Sequence, residues 1–296
     1  MGLGKNFPAL FLYLERVFKL FRLLFILCLI WGFNFVVMKT AAQYFSPEIF
    51  VTYRFTLGAA ILLLFVYLKK LPLPPKKFWG WIFLTGFFQI ALGASIVQYC
   101  FKFLDAGLVS VLNYTMPVWV TILAYFFLKE PLTKKKILGI AISIFGVAVL
   151  MNINLTGKFS AILLALSAAI CWAIGNVIMK AKLSKCEAVT MTTWQMVVGA
   201  VMLAIYSAIQ GDHLAYWTPI SVACLLYNAV IASAFAFFLW VYILEHMQAS
   251  KASISVLGVP VVGVLGGVIF LGEPLTLSIV VGMVMVLAGI ILVQHS

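Results

Sequence analysis

Apolar runs of close to twenty residues follow one another along the chain, separated by short polar stretches. An α-helix needs about 20 such residues to cross the hydrocarbon of a bilayer. The pattern predicts helices at 22–41, 48–68, 78–101, 107–128 and 135–152, then at 159–180, 188–209, 219–244, 249–271 and 277–294. The runs are continuously apolar and do not alternate, which excludes a transmembrane β-barrel. The expected fold class is all-α integral membrane, with ten transmembrane helices.

The polar interruptions repeat. Trp31-Gly-Phe-Asn-Phe-Val-Val-Met-Lys39 returns 141 positions later as Trp172-Ala-Ile-Gly-Asn-Val-Ile-Met-Lys180. Leu128-Lys-Glu-Pro-Leu-Thr133 returns as Leu271-Gly-Glu-Pro-Leu-Thr276, at an offset of 143. A period this long is too large for a solenoid and suits a duplicated membrane module. The chain divides into an amphipathic lead-in (1–21), a first repeat (22–152) and a second repeat (153–296). Five spans per repeat is an odd number, so the second half enters the membrane upside down. Two inverted five-helix repeats allow two mirror-related states, and alternating access is the natural reading.

Composition agrees with the pattern: 65% of the 296 residues are hydrophobic, 9% are charged, and mean hydropathy is +1.16. A soluble domain is nearer a quarter charged. The net charge of +12 does not indicate nucleic acid, because the cations sit in short loops between apolar runs rather than on a basic stripe. With the N-terminus inside, sixteen of the twenty Lys and Arg residues fall on the cytoplasmic side, which predicts both termini cytoplasmic. No small-residue cleavage site follows the first apolar run, so it reads as an uncleaved span. The five scattered cysteines form no CxxC pair and read as small buried hydrophobes.

Polar side chains in hydrocarbon are costly, so their distribution marks where lipid is not. The fifth and tenth spans are nearly free of them and carry matched glycines (Gly139 and Gly146, Gly282 and Gly289), as peripheral packing helices would. The other spans hold a candidate substrate cavity. Trp31 and Asn34 lie three apart on the first span, and Trp172 and Asn176 four apart on the sixth. Gln89, Gln98 and Tyr99 come from the third span, and Asn113 and Tyr114 from the fourth. Trp194 and Gln195 come from the seventh, and Tyr227, Asn228 and Trp240 from the eighth. Aromatics and amides converging from several helices suit a small organic solute. Such an amide can equally do no more than bond a neighbouring helix, worth about 0.6 kcal/mol on average. Trp79, Trp81 and Trp217, at span ends, read as interface anchors.

Arg54 lies about 9 Å into the second span, at 1.5 Å per residue. It either meets a substrate carboxylate or snorkels outward and ties down carbonyls. Lys39, Lys102 and Lys180, at span ends, read as topology or snorkelling residues. All eight carboxylates lie in loops or at helix ends, so a proton relay through a central Asp or Glu has no support. Pro117 and Pro260 match at an offset of 143. With Gly258 beside the second, they are expected as hinge residues, each removing a mid-membrane helix hydrogen bond. Thr133 and Thr276 are expected helix N-caps after Glu-Pro.

Taken in order, the Trp31-Gly-x-Asn-Phe element, Arg54-Phe, Pro117 and the paired Glu-Pro-Leu-Thr segments resemble the drug/metabolite transporter superfamily, in its EamA-type branch. The resemblance covers nearly the whole chain from about Arg22 onward. It implies a carrier of the bacterial inner (plasma) membrane, often an exporter of amino acids or other small metabolites. It also implies a cavity lined by spans one to four and six to nine, with the fifth and tenth outside.

The leading expectation is therefore a secondary transporter of small metabolites such as amino acids, with a nucleoside, sugar or drug as alternative cargo. A membrane enzyme would need a nucleophile, metal ligands or an acid–base pair. The sequence offers only the isolated His213, His246 and His295. No pore-like ring of charges supports a channel, and a non-transporting subunit stays open at this point. No metal or cofactor is expected. The expected partners are the solute and the lipid bilayer, with no nucleic acid, and a homodimer is compatible.

Overall fold

Apolar sequence in a membrane must satisfy its backbone internally, and helices do so segment by segment. The computed structural model describes residues 7–151, 158–211, 214–246 and 256–294, and these are almost entirely helical. The helices are α1 (Phe7–Ala41), α2 (Pro47–Leu68), α3 (Lys76–Cys100), α4 (Ala106–Leu128) and α5 (Lys134–Met151). They continue as α6 (Phe159–Leu183), α7 (Ala188–Gln210), α8 (Pro219–Trp240, running on to His246), α9 (Gly258–Leu271) and α10 (Leu277–Gln294).

Among the described residues, seven helices are long and apolar enough to cross a membrane: α2, α3, α4, α6, α7, α8 and the Leu20–Ala41 part of α1. The expected fifth, ninth and tenth spans are present as shorter helices. Three lysines fill the first turn of α5, and α9 has 14 residues. The expected start of the ninth span, at 249–255, lies outside the described residues.

Local chemistry sets the helix ends. Thr133 Oγ1 accepts from the Lys136 N–H at 3.2 Å, and Thr276 Oγ1 from the Ile279 N–H at 3.3 Å. Glu187 caps α7 through the Val189 and Thr190 N–H groups, and Thr218 and Ser221 form a reciprocal capping box on α8. Gly211 and Gly272, both at φ 67°, end α7 and α9 in the left-handed conformation that glycine adopts without strain.

Helices α5 and α10 lie side by side through their matched glycines. A Cβ placed on Gly139 would sit 2.6 Å from the Gly289 carbonyl oxygen, and one on Gly146 would sit 2.9 Å from that of Gly282. Ser143 Oγ donates to the Val286 carbonyl across the same seam. The principal core joins every helix except α7, around Phe45, Phe50, Leu104, Leu112 and Ile162.

Three departures from regular helix shape the interior. Helix α4 breaks into a turn at Tyr114–Thr115 and restarts at Met116. Pro117 therefore stands in the first turn of a new segment, where its missing N–H is no loss. The expected interruption of a helix interior by Pro117 is corrected accordingly. Pro260 likewise occupies the first turn of the described α9, two residues after Gly258, and the same correction applies. Helices α3 and α8 each widen into π-helix, at Gly86–Gly93 and Tyr227–Phe235. These two stretches begin 141 positions apart, the offset of the sequence echo.

Candidate functional site

The widened turns position the polar side chains. In α3, the π-helical stretch carries Gln89 towards α6 and α7. Gln89 Nε2 donates to Asn176 Oδ1 at 2.9 Å and to the Trp172 carbonyl at 3.1 Å, and Gln195 Nε2 donates to Gln89 Oε1. Asn176 Nδ2 in turn donates to Met116 Sδ at 3.1 Å, just past the break in α4. The result is an amide relay from α7 through α3 and α6 to α4. Gly175 makes room for it: a Cβ there would lie 2.8 Å from Gln89 Nε2.

A second polar cluster centres on Met38. Arg54 does not snorkel: it is 8% exposed, with Nε donating to Ser233 Oγ at 3.0 Å and Nη1 to Met38 Sδ at 3.3 Å. Asn34 Nδ2 donates to the same sulfur at 3.1 Å, and Gln98 Nε2 donates to the Met38 carbonyl at 3.1 Å. Ser233 belongs to the π-helical part of α8, so this cluster also depends on a widened turn. Gly58, one turn beyond Arg54, lets α2 approach α7 and α8 closely: a Cβ there would stand 3.1 Å from Met196 Sδ and 3.3 Å from Ser233 Cβ.

Aromatic rings close one flank. The Trp31 ring lies 5.9 Å from Trp240 and 6.1 Å from Phe237, and its Nε1 donates to the Ala232 carbonyl at 3.2 Å. Tyr227 donates from its hydroxyl to the Ile30 carbonyl at 2.9 Å. On the membrane side of this flank, Leu29, Phe33, Tyr227, Val262 and Phe270 line an apolar crevice of about 450 Å³.

The remaining expected cavity residues divide. Tyr114 and Asn113 stand at the break in α4, with Asn113 Oδ1 buried and unpaired. Asn228 donates to the Cys224 carbonyl of its own helix, so its amide satisfies its own backbone rather than a neighbouring helix. Two expectations are corrected. Tyr99 is 38% exposed on the outer surface of α3, against Lys102 and Phe103, because it follows the inward-facing Gln98 and points the other way. Trp194 packs 5.0 Å from Trp79 in a separate cluster with Phe78, Ile82 and Leu183, away from the relay that its neighbour Gln195 joins.

Sequence reasoning missed the acceptors. Met38, Met116 and Ser233 are unremarkable in a run of hydrocarbon, and their roles follow from tertiary placement. It also missed the distant work of the Glu-Pro-Leu-Thr glutamates. Glu273 accepts from the Ala106 and Gly107 N–H groups at 2.6 and 3.0 Å, capping α4 from the far end of α9. Lys39 donates to the Phe101 and Leu104 carbonyls at 2.8 and 2.7 Å, covering the end of α3 beside it. Glu130, the echo of Glu273, pairs instead with Lys180, the echo of Lys39. The signal for both was the repeated motif itself.

These features match known proteins. The profile of the EamA-like transporter family matches the chain twice, over residues 21–152 and 159–294. An uncharacterized transporter of Bacillus subtilis, YoaV, is 34% identical over 271 residues, covering 88% of this chain and 92% of that one. A probable amino-acid metabolite efflux pump of Salmonella typhimurium is 28% identical over 275 residues, covering 88% and 90%. A solved crystal structure superposes with a TM-score of 0.68 at 13% identity, over 93% of this chain and 95% of that one. With both halves matched and the fold shared, the chain is an integral membrane protein that belongs to the EamA-like transporter family.

Proposed function

We propose that this protein is a secondary carrier that exports small metabolites, amino acids foremost, from a bacterial cell by alternating access. Ten spans in two inverted repeats cross the plasma membrane, with both termini cytoplasmic. The observation that carries the reading is a set of polar contacts inside the helix bundle that joins the two matched halves. Arg54 bonds Ser233, Gln89 bonds Asn176 and Gln195, and Trp31 bonds Ala232. A seam that only held helices together would be cheaper in hydrocarbon, since polar groups inside a membrane cost energy and mark pathways.

Loop contacts support the expected sidedness. The segments expected outside meet one another: the Ser46 N–H donates to the Leu214 carbonyl, the Tyr216 N–H to the Tyr44 carbonyl, and Glu273 caps α4. Lys180 and Glu130, expected inside, also meet each other. The two ends differ, however. At the outer end, α4 and α9 touch, with a Cβ on Gly107 falling 3.0 Å from Val264 Cα, while the Lys180–Glu130 pair is solvent-exposed. On this reading the α4–α9 contact is the outer gate, and transport requires it to part.

Amino acids come first as cargo because relatives at 28% identity include probable amino-acid metabolite efflux pumps. Uptake and counterflow in liposomes holding the purified protein test the reading, with labelled amino acids and with and without a pH gradient. A preloaded amino acid is expected to drive exchange, and Gln89→Leu to slow it at least about tenfold, the loss of hydrogen bonds worth 1–2 kcal/mol. Movement of only a nucleoside, sugar or drug would refute the amino-acid assignment. No movement of any solute would refute the carrier.

A further inference from the structure

The cluster around Met38 has a charge and hydrogen-bond pattern that nothing among the described residues completes. A guanidinium carries five N–H donors. Among the described residues, those of Arg54 meet one hydroxyl and one thioether, its guanidinium lies 4.8 Å from the Phe55 ring centre, and no carboxylate pairs with it. A thioether is a weak acceptor. Met38 nonetheless receives three side-chain donors, from Arg54 and Asn34 at its sulfur and from Gln98 at its carbonyl, which also accepts the Ala42 N–H of its own helix. The opposite atoms of those two amides, Asn34 Oδ1 and Gln98 Oε1, are buried acceptors without a hydrogen-bond partner. Asn34 is 6% exposed, Gln98 0% and Met38 3%. A buried acceptor left unmade is expensive.

We infer that this cluster is a recognition site for the zwitterionic head of an α-amino acid. Arg54 takes the carboxylate in the two-pronged geometry that guanidinium and carboxylate share. Asn34 Oδ1 and Gln98 Oε1 accept from the ammonium. The Met38 thioether, flexible and weakly bonded, is the group the substrate displaces. The inference rests on the carrier reading and names its substrate by chemistry: both charged groups are required, on the same carbon.

The test is competition during counterflow by the full chain in liposomes. Each of the twenty amino acids is screened in labelled form. The best is challenged with its decarboxylated amine and its des-amino acid; for leucine these are 3-methylbutylamine and 4-methylpentanoate. Only the intact amino acid should compete, with each half-molecule weaker by about tenfold or more. Arg54→Gln should raise half-saturation for the amino acid about tenfold and abolish its advantage over the amine, and Arg54→Lys should restore part of it. Gln98→Leu should abolish the advantage over the des-amino acid. Should Arg54→Gln fail to fold, wild-type competition and Gln98→Leu still decide. An amine or des-amino acid that competes as well as the amino acid overturns the inference and leaves the carrier standing. So does transport confined to a nucleoside, sugar or drug. Failure of every solute removes the carrier reading instead.

Discussion

At the scale of single residues, the site is a matter of which acceptor each amide finds. Gln89 reaches Asn176 and the Trp172 carbonyl only because Gly175 leaves room for its side chain. Gly175→Ala is expected to push Gln89 out of the relay and to destabilise the protein by about 1–3 kcal/mol, the range for overpacking a filled interior. Thermal unfolding in detergent would register that as a lower midpoint, and counterflow as a slower rate. An unchanged melt with unchanged transport would mean that the relay is dispensable. Arg54, Gln89, Asn176 and Trp31 were legible in the sequence because a polar group in a run of hydrocarbon stands out. Their partners were not, since Met38, Met116 and Ser233 look like ordinary membrane residues until the fold aims donors at them. Tyr99 and Trp194 were misjudged for a related reason. Residue type says that a group is polar, and only helix rotation says which way it faces.

Helices carry the next layer. Long apolar runs predicted most helix ends within a few residues, because the length that crosses a bilayer is visible in the chain. The threonine caps were legible too, since the side-chain oxygen and the orphan amide N–H lie close in sequence. The π-helical turns in α3 and α8 were not, for they give no apolar period of their own. They nonetheless place Gln89 and Ser233, consistent with the frequency of such turns at functional sites. The break before Pro117 shows a further limit: the residue marks a helix start here, and the same letter can mark a kink. Glu273 is the strongest element-scale test. Its carboxylate holds two α4 amides from across the two halves. Glu273→Ala is expected to cost about 2 kcal/mol or more, the value of charge-assisted bonds, and Glu273→Gln to cost less. Chemical denaturation in mixed micelles would measure both, and equal stability of all three proteins would remove Glu273 as a cap.

For the whole molecule, the duplication was readable as two echoes at offsets of 141 and 143. What it did not reveal is that the two copies do unequal work. Glu273 caps a helix while Glu130 pairs with Lys180, and Lys39 covers carbonyls while Lys180 does not. On the carrier reading proposed above, two halves with one pattern and two sets of partners correspond to one of two related states. In the second state the partners should exchange roles, and the outer seam between α4 and α9 should open. The most direct measurement therefore locks that seam. Cysteines at Gly107 and Val264, in a background lacking the five native ones, are the pair to use, since a Cβ on Gly107 falls 3.0 Å from the Val264 Cα. The account predicts that oxidation stops counterflow and that reduction restores it. Full transport by fully cross-linked protein would contradict alternating access through this seam.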